Sequence, residues 1–184
     1  MRKLIVACMV GVMALSLFGC GTDKEDSKDN SAKKAETTVE ESKAPEYGWF
    51  DAEVPEGFVA QEDEVGAFRT DDGTDRVFKI YTHSRTFESA EEARQKSIDF
   101  WDDNSHKDGG EVTLGNYTWY VEKFDWNSND SCIVYTDIDD NTYVEIAFFE
   151  MSFESDEVQN FLNSFKTMET DNLYDASVEN PIVQ

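Results

Sequence analysis

Apolar and polar residues change rhythm several times along this chain. Residues 4–18 run without a single charge, and residues 21–45 then carry almost no large apolar side chain. From Tyr47 the pattern becomes periodic. Residues 47–54 read as a short strand, stopped by Pro55-Glu56-Gly57. Residues 67–70 and 76–84 flank Asp71-Asp72-Gly73-Thr74-Asp75, an Asp/Gly-rich turn, and read as a hairpin. Ser89-Ala90-Glu91-Glu92 is a capping box that opens a helix to about Asp103, with Ala90, Ala93, Ser97 and Trp101 on one side and Ile98 beside them. Asp108-Gly109-Gly110 reads as a break. Residues 117–126, 131–138 and 142–151 read as three strands joined by tight Asn/Asp turns. A last helix starts at Ser155 or Asp156, with Val158, Phe161, Leu162, Phe165 and Met168 at helical spacing.

The strands also report on layering. Val144, Ile146 and Phe148 share one face of their strand, and Tyr143, Glu145, Ala147 and Phe149 share the other. Trp119 and Val121 point opposite to Tyr120, Phe124 and Trp126. Both faces are partly apolar, so both are expected to be covered. The fold class that follows is α+β, an antiparallel sheet with helices packed on its faces.

The N-terminal segment is a targeting signal by its pattern. Arg2 and Lys3 precede the uncharged run, which is shorter than the roughly 20 residues a spanning helix needs. The run ends in Leu17-Phe18-Gly19-Cys20. Those four residues resemble the lipobox of bacterial lipoproteins. The resemblance implies cleavage between Gly19 and Cys20, a lipid on the Cys20 sulfur, and a place on the extracytoplasmic face of the cell membrane. A bulky Phe18 is the one departure from the usual pattern. Residues 1–19 are then a removed signal peptide. Residues 20–45 are the lipidated Cys and a polar tether, whose ends as a coil average about 25–30 Å apart. Residues 46–168 are one globular domain. Residues 169–184 are a polar tail with docking points at Leu173-Tyr174 and Pro181-Ile182-Val183.

The order hairpin, helix, three antiparallel strands, helix is similar to the PsbP-like fold, an α/β/α sandwich. Val54-Pro55-Glu56-Gly57-Phe58 resembles the opening motif of small lipoproteins of that type, and Asn163-Ser164-Phe165-Lys166 resembles the close of their last helix. The resemblance covers about residues 47–168 and brings no catalytic residues. It implies a non-enzymatic binding or accessory module, with an envelope protein or an extracellular ligand as its unidentified partner.

Charge narrows the partners further. The 184 residues carry 16 Lys and Arg against 40 Asp and Glu, for a net charge of -24. Residues 46–184 hold nine of those cations and 33 of the acids, so the excess belongs to the domain. Nucleic acid is excluded as a partner, because phosphate binding needs a basic surface. A weak cation-binding or basic-peptide-binding protein is one alternative function, and a cell-wall or exopolymer hydrolase is another.

No cofactor or metal motif stands out. The stretches starting at Asp125 and Asp137 place oxygen ligands at positions one, three and five, but lack the Gly and Glu an EF-hand needs. Asp71, Asp72 and Asp75 form the one turn dense enough to attract a cation weakly. His83 and His106 are the only histidines, and no Gly-x-Ser-x-Gly, P-loop or dinucleotide motif occurs. With Cys8 in the signal and Cys20 lipidated, Cys132 stands alone in a strand as a buried, inert thiol. The aromatics Trp49, Tyr117, Trp119, Tyr120 and Trp126 are expected mainly to fill the core. Trp126, before a polar turn, is the one expected to face a ligand.

Overall fold

The computed structural model describes residues 46–182 apart from 73, 102 and 103. Gly19, Cys20 and the tether lie outside the described residues.

The fold is α+β. Seven strands form one antiparallel sheet: β2 (Phe58–Ala60), β3 (Ala67–Thr70), β4 (Val77–Ser84), β5 (Lys107–Leu114), β6 (Tyr117–Trp126), β7 (Asn129–Asp137) and β8 (Thr142–Phe149). Their spatial order is β2-β3-β4-β8-β7-β6-β5. The helices are α1 (Ala90–Phe100), α2 (Asp156–Ser164) and α3 (Leu173–Glu179). A small separate ladder pairs β1 (Phe50–Asp51) with β9 (Lys166–Thr167). Among the described residues no helix is long and apolar enough to cross a membrane.

The two sheet faces separate as the alternation requires. Trp119, Val121, Cys132, Val134, Val144, Ile146 and Phe148 face the larger core, which Val158, Phe161 and Leu162 of α2 close from the other side. Ser155 caps α2 by accepting from the Val158 N–H. On the opposite face α1 lies across β5, β6 and β7, with Ala90 and Ala93 against Tyr135 and Tyr143. Its N-cap is Ser89, which accepts from the Glu92 N–H at 3.1 Å. The Glu92 carboxylate reaches back one residue further than a capping box requires, to the Glu88 N–H at 2.8 Å. Asp137 of β7 fixes the helix start, accepting from the Ala90 N–H at 3.0 Å and from Arg85 at 2.6 Å.

Several elements differ from the sequence reading. The first strand shrinks to β1, because residues 52–57 turn away toward a further short strand, β2. Asp108-Gly109-Gly110 is no break but a bulged part of edge strand β5. Glycine is required there: a Cβ on Gly109 would sit 2.7 Å from Val121 Cγ1, and Gly110 has φ +85. Helix α2 stops at Ser164, since Phe165 is extended at φ -56, ψ 131. Phe165 is still fully buried, and Met168 packs on the core from outside the helix. The expected polar tail carries α3, with Leu173 and Ile182 buried at 1% and 5% exposure. The Ile182 carbonyl accepts from the Gly66 N–H at 3.3 Å, and Ser177 meets Thr82 at 2.5 Å.

Candidate functional site

The face under α1 is only half covered. Past Phe100 the helix ends, because Trp101 leaves helical geometry at φ -93, ψ 88. The sheet beyond it is left open between α1 and the far ends of β6, β7 and β8. The resulting groove has a volume of about 640 Å³ and walls that are mainly apolar, including Phe124, Ile133, Tyr143 and Phe149. That volume is in the range of small-molecule and side-chain binding sites.

Its rim is aromatic and exposed. Phe100, Trp101 and Trp126 are 77%, 45% and 47% exposed, and no other Phe or Trp among the described residues is exposed. Trp126 stands edge-on to Phe149 at 5.2 Å, and Phe149 is edge-on to Phe124 at 5.8 Å. Trp101, His106 and Phe124 form a parallel stack, with centroids 4.5 and 4.7 Å apart. The residues at one groove mouth therefore come from the end of α1, the loop after it and the end of β6.

The stack covers a buried carboxylate. Glu122 is 0% exposed, on the strand face shared with Tyr120 and Phe124. Its oxygens take the Tyr135 hydroxyl at 2.9 Å, the Ser97 hydroxyl at 3.2 Å and the Nδ1 of His106. Burial is what pushes the Tyr135 phenol far above its ordinary pKa, and the neighbouring carboxylates of Glu145 and Glu122 add to it. This arrangement positions His106 and holds α1 to the sheet. With both ring faces covered and Nδ1 committed, His106 acts here as a spacer between Trp101 and Phe124.

His83 lies elsewhere on the same sheet face, on β4. It stacks on Tyr143 at 4.7 Å, and its Nε2 is 3.1 Å from Glu145 Oε2. That contact lacks the alignment of a hydrogen bond. Glu145 also lines the groove. The two histidines thus sit in separate carboxylate contacts and do not meet.

The Asp-rich turn has a local occupation. Asp72 accepts from the Thr74 N–H at 3.0 Å and its hydroxyl at 2.6 Å. Hydrogen bonds from Thr74 and Thr70 hold its carboxyl down to about 2. Asp71 and Asp75 are exposed, and no three His, Cys, Asp or Glu side chains converge as metal ligands among the described residues. Cys132 is fully buried, and desolvation raises its thiol strongly.

Of the aromatics singled out in the sequence, Trp49 and Trp119 are core at 2% and 0% exposure, and Tyr117 packs against that core. Tyr120 joins the cluster under α1, and Trp126 reaches the rim. Phe100 and the exposure of Trp101 were not anticipated. Helical spacing places Trp101 on the buried side, and only the early end of α1 frees its ring.

No protein-family model and no curated protein sequence matches the chain. Among solved structures, one from Bacteroides thetaiotaomicron VPI-5482 is similar, with a TM-score of 0.44 and 16% identity. The match covers 67% of this chain and 47% of that one, so this chain spans about half of its length.

Proposed function

We propose that this protein is a lipid-anchored lipoprotein on the extracytoplasmic face of a bacterial membrane. Its domain is a non-enzymatic binding or accessory module, and the aromatic groove is its binding site. The observation that carries the reading is the gathering of every exposed Phe and Trp of the described domain at one groove mouth. Isolated exposed apolar residues are ordinary, whereas a contiguous aromatic rim around a groove marks an interaction site. The lipobox at Leu17-Phe18-Gly19-Cys20 supports the anchor. The PsbP-like resemblance belongs to the same proposal, with four strands rather than the expected three between α1 and α2; so does the reading of His83 and His106 as non-catalytic.

A photo-crosslinking amino acid placed at Phe100 in the native cell tests it. A discrete adduct is expected at Phe100 and none at Val59, an exposed position outside the groove. The wild-type chain should pellet with membranes, and Cys20→Ser should release it. Absence of a Phe100 adduct, or membrane association unaffected by Cys20→Ser, overturns the corresponding half of the proposal.

A further inference from the structure

We infer that the groove takes a basic segment of a partner protein, one that inserts an apolar side chain between Trp126 and Phe100 and sets Lys or Arg at the rim. This rests on the reading of the groove as a binding site and adds the chemistry of its occupant.

The argument is one of charge and shape together. Residues 46–184 hold 33 acids and nine cations. Six of those cations are already spent within the fold, in Arg69–Glu64, Arg76–Glu157, Lys79–Glu64, Arg85–Asp137, Arg94–Asp108 and Lys123–Glu154. The field outside the domain is therefore that of the unpaired carboxylates, which draws basic partners in and repels acidic ones. The groove shares this bias. Asp125 and Glu145 line it, against Lys96 as the basic side chain on its α1 side. The floor is apolar, so charge alone would leave it unfilled. A leucine-sized or aromatic anchor would bury it, and a flanking guanidinium or ammonium would find ring faces and carboxylates within reach. An acidic or purely polar segment would gain neither.

Fluorescein-labelled lysine–leucine, lysine–serine, glutamine–leucine and glutamate–leucine peptides of equal length, titrated against the full chain in non-ionic detergent, provide the test. The lysine–leucine peptide should bind about tenfold more tightly than the other three, and Trp126→Ala and Phe100→Ala should each weaken it by about tenfold. Val59→Ala serves as the control outside the groove, and thermal melts confirm that the variants fold. If glutamine–leucine binds as tightly as lysine–leucine and Trp126→Ala weakens both, the groove stands as a binding site and the basic occupant is wrong. Equal binding of lysine–serine and lysine–leucine also overturns the inference, since attraction would then be general. If no peptide responds to Trp126→Ala or Phe100→Ala, the reading of the groove falls with it.

Discussion

The Tyr135 hydroxyl donates to Glu122 Oε2 at 2.9 Å, inside a domain where Glu122 has no solvent contact at all. A carboxylate so placed is tolerable only while its partners hold. Tyr135→Phe removes one donor and keeps the ring, leaving a buried acceptor without that partner, so it should cost about 1–3 kcal/mol. His106→Ala removes the Nδ1 partner and the middle of the Trp101–Phe124 stack, and by the lost ring packing and the unpaired acceptor together should cost about 2–5 kcal/mol. Urea denaturation checks both: the midpoint should fall while the slope stays constant. A double-mutant cycle of Tyr135→Phe with Glu122→Gln should show coupling of about 0.5–3 kcal/mol. Additive effects would mean that the pair is only a neighbourly contact.

The C-terminal segment should carry stability out of proportion to its composition. Leu173 and Ile182 are buried in the main core, and Ile182 also supplies a carbonyl to Gly66. Ending the chain at Met168 removes both side chains. Burial of each is worth about 1.5–3 kcal/mol, so the loss should be about 3–6 kcal/mol. A lowered urea midpoint is expected, and an unchanged midpoint would show that the segment packs without holding.

What could be seen in the sequence follows from how strongly each element declares its burial. Strands β6, β7 and β8 alternate cleanly on both faces, so their existence and their two-sided covering were legible. Ser89 announced α1 by its capping box, and the helical spacing of Val158, Phe161 and Leu162 announced α2. Strand β5 was not legible. It is an edge with Asp108, Gly109, Gly110 and Glu111 at its start, and the glycines serve close packing on Val121 rather than a turn. Helix α3 was missed because only Leu173 and Ser177 of its seven residues are buried. Glu122 looked like one of 33 acids, but its position between Tyr120 and Phe124 on one strand face was a usable signal. The groove depends on where α1 stops, and residues around Phe100 and Trp101 carry no terminator that would reveal it.

Calcium should leave the domain unmoved. Asp72 spends its carboxylate on Thr74, and Asp71 and Asp75 do not join it around a common point. Because a ion held only by the native state must raise its stability, millimolar Ca²⁺ should not shift the melting temperature. An upward shift that Asp72→Ala abolishes would restore a cation role to this turn.

Alkaline pH should expose the cost of neutral acids buried in the sheet, Cys132 and Tyr135 foremost. Burial raises both the Cys132 thiol and the Tyr135 phenol in the folded chain. Unfolded, a thiol releases its proton near 8.5 and a phenol near 10. Below those values each group is neutral in both states and its contribution is fully present. Above them the unfolded chain binds fewer protons than the folded one, so stability falls as pH rises, by about 1.4 kcal/mol per pH unit for each group. The urea midpoint should therefore decline from about pH 8.5 and more steeply from about pH 10. Cys132→Ala should remove the first limb, and Tyr135→Phe should make the second shallower, the remainder coming from the burial-raised phenols of Tyr47, Tyr81, Tyr120 and Tyr143. The same burial predicts that a thiol reagent modifies Cys132 only as fast as the sheet opens, with native protein unreactive and urea-unfolded protein modified at once. Rapid reaction of the folded protein would mean that the strand carrying Cys132 opens on its own.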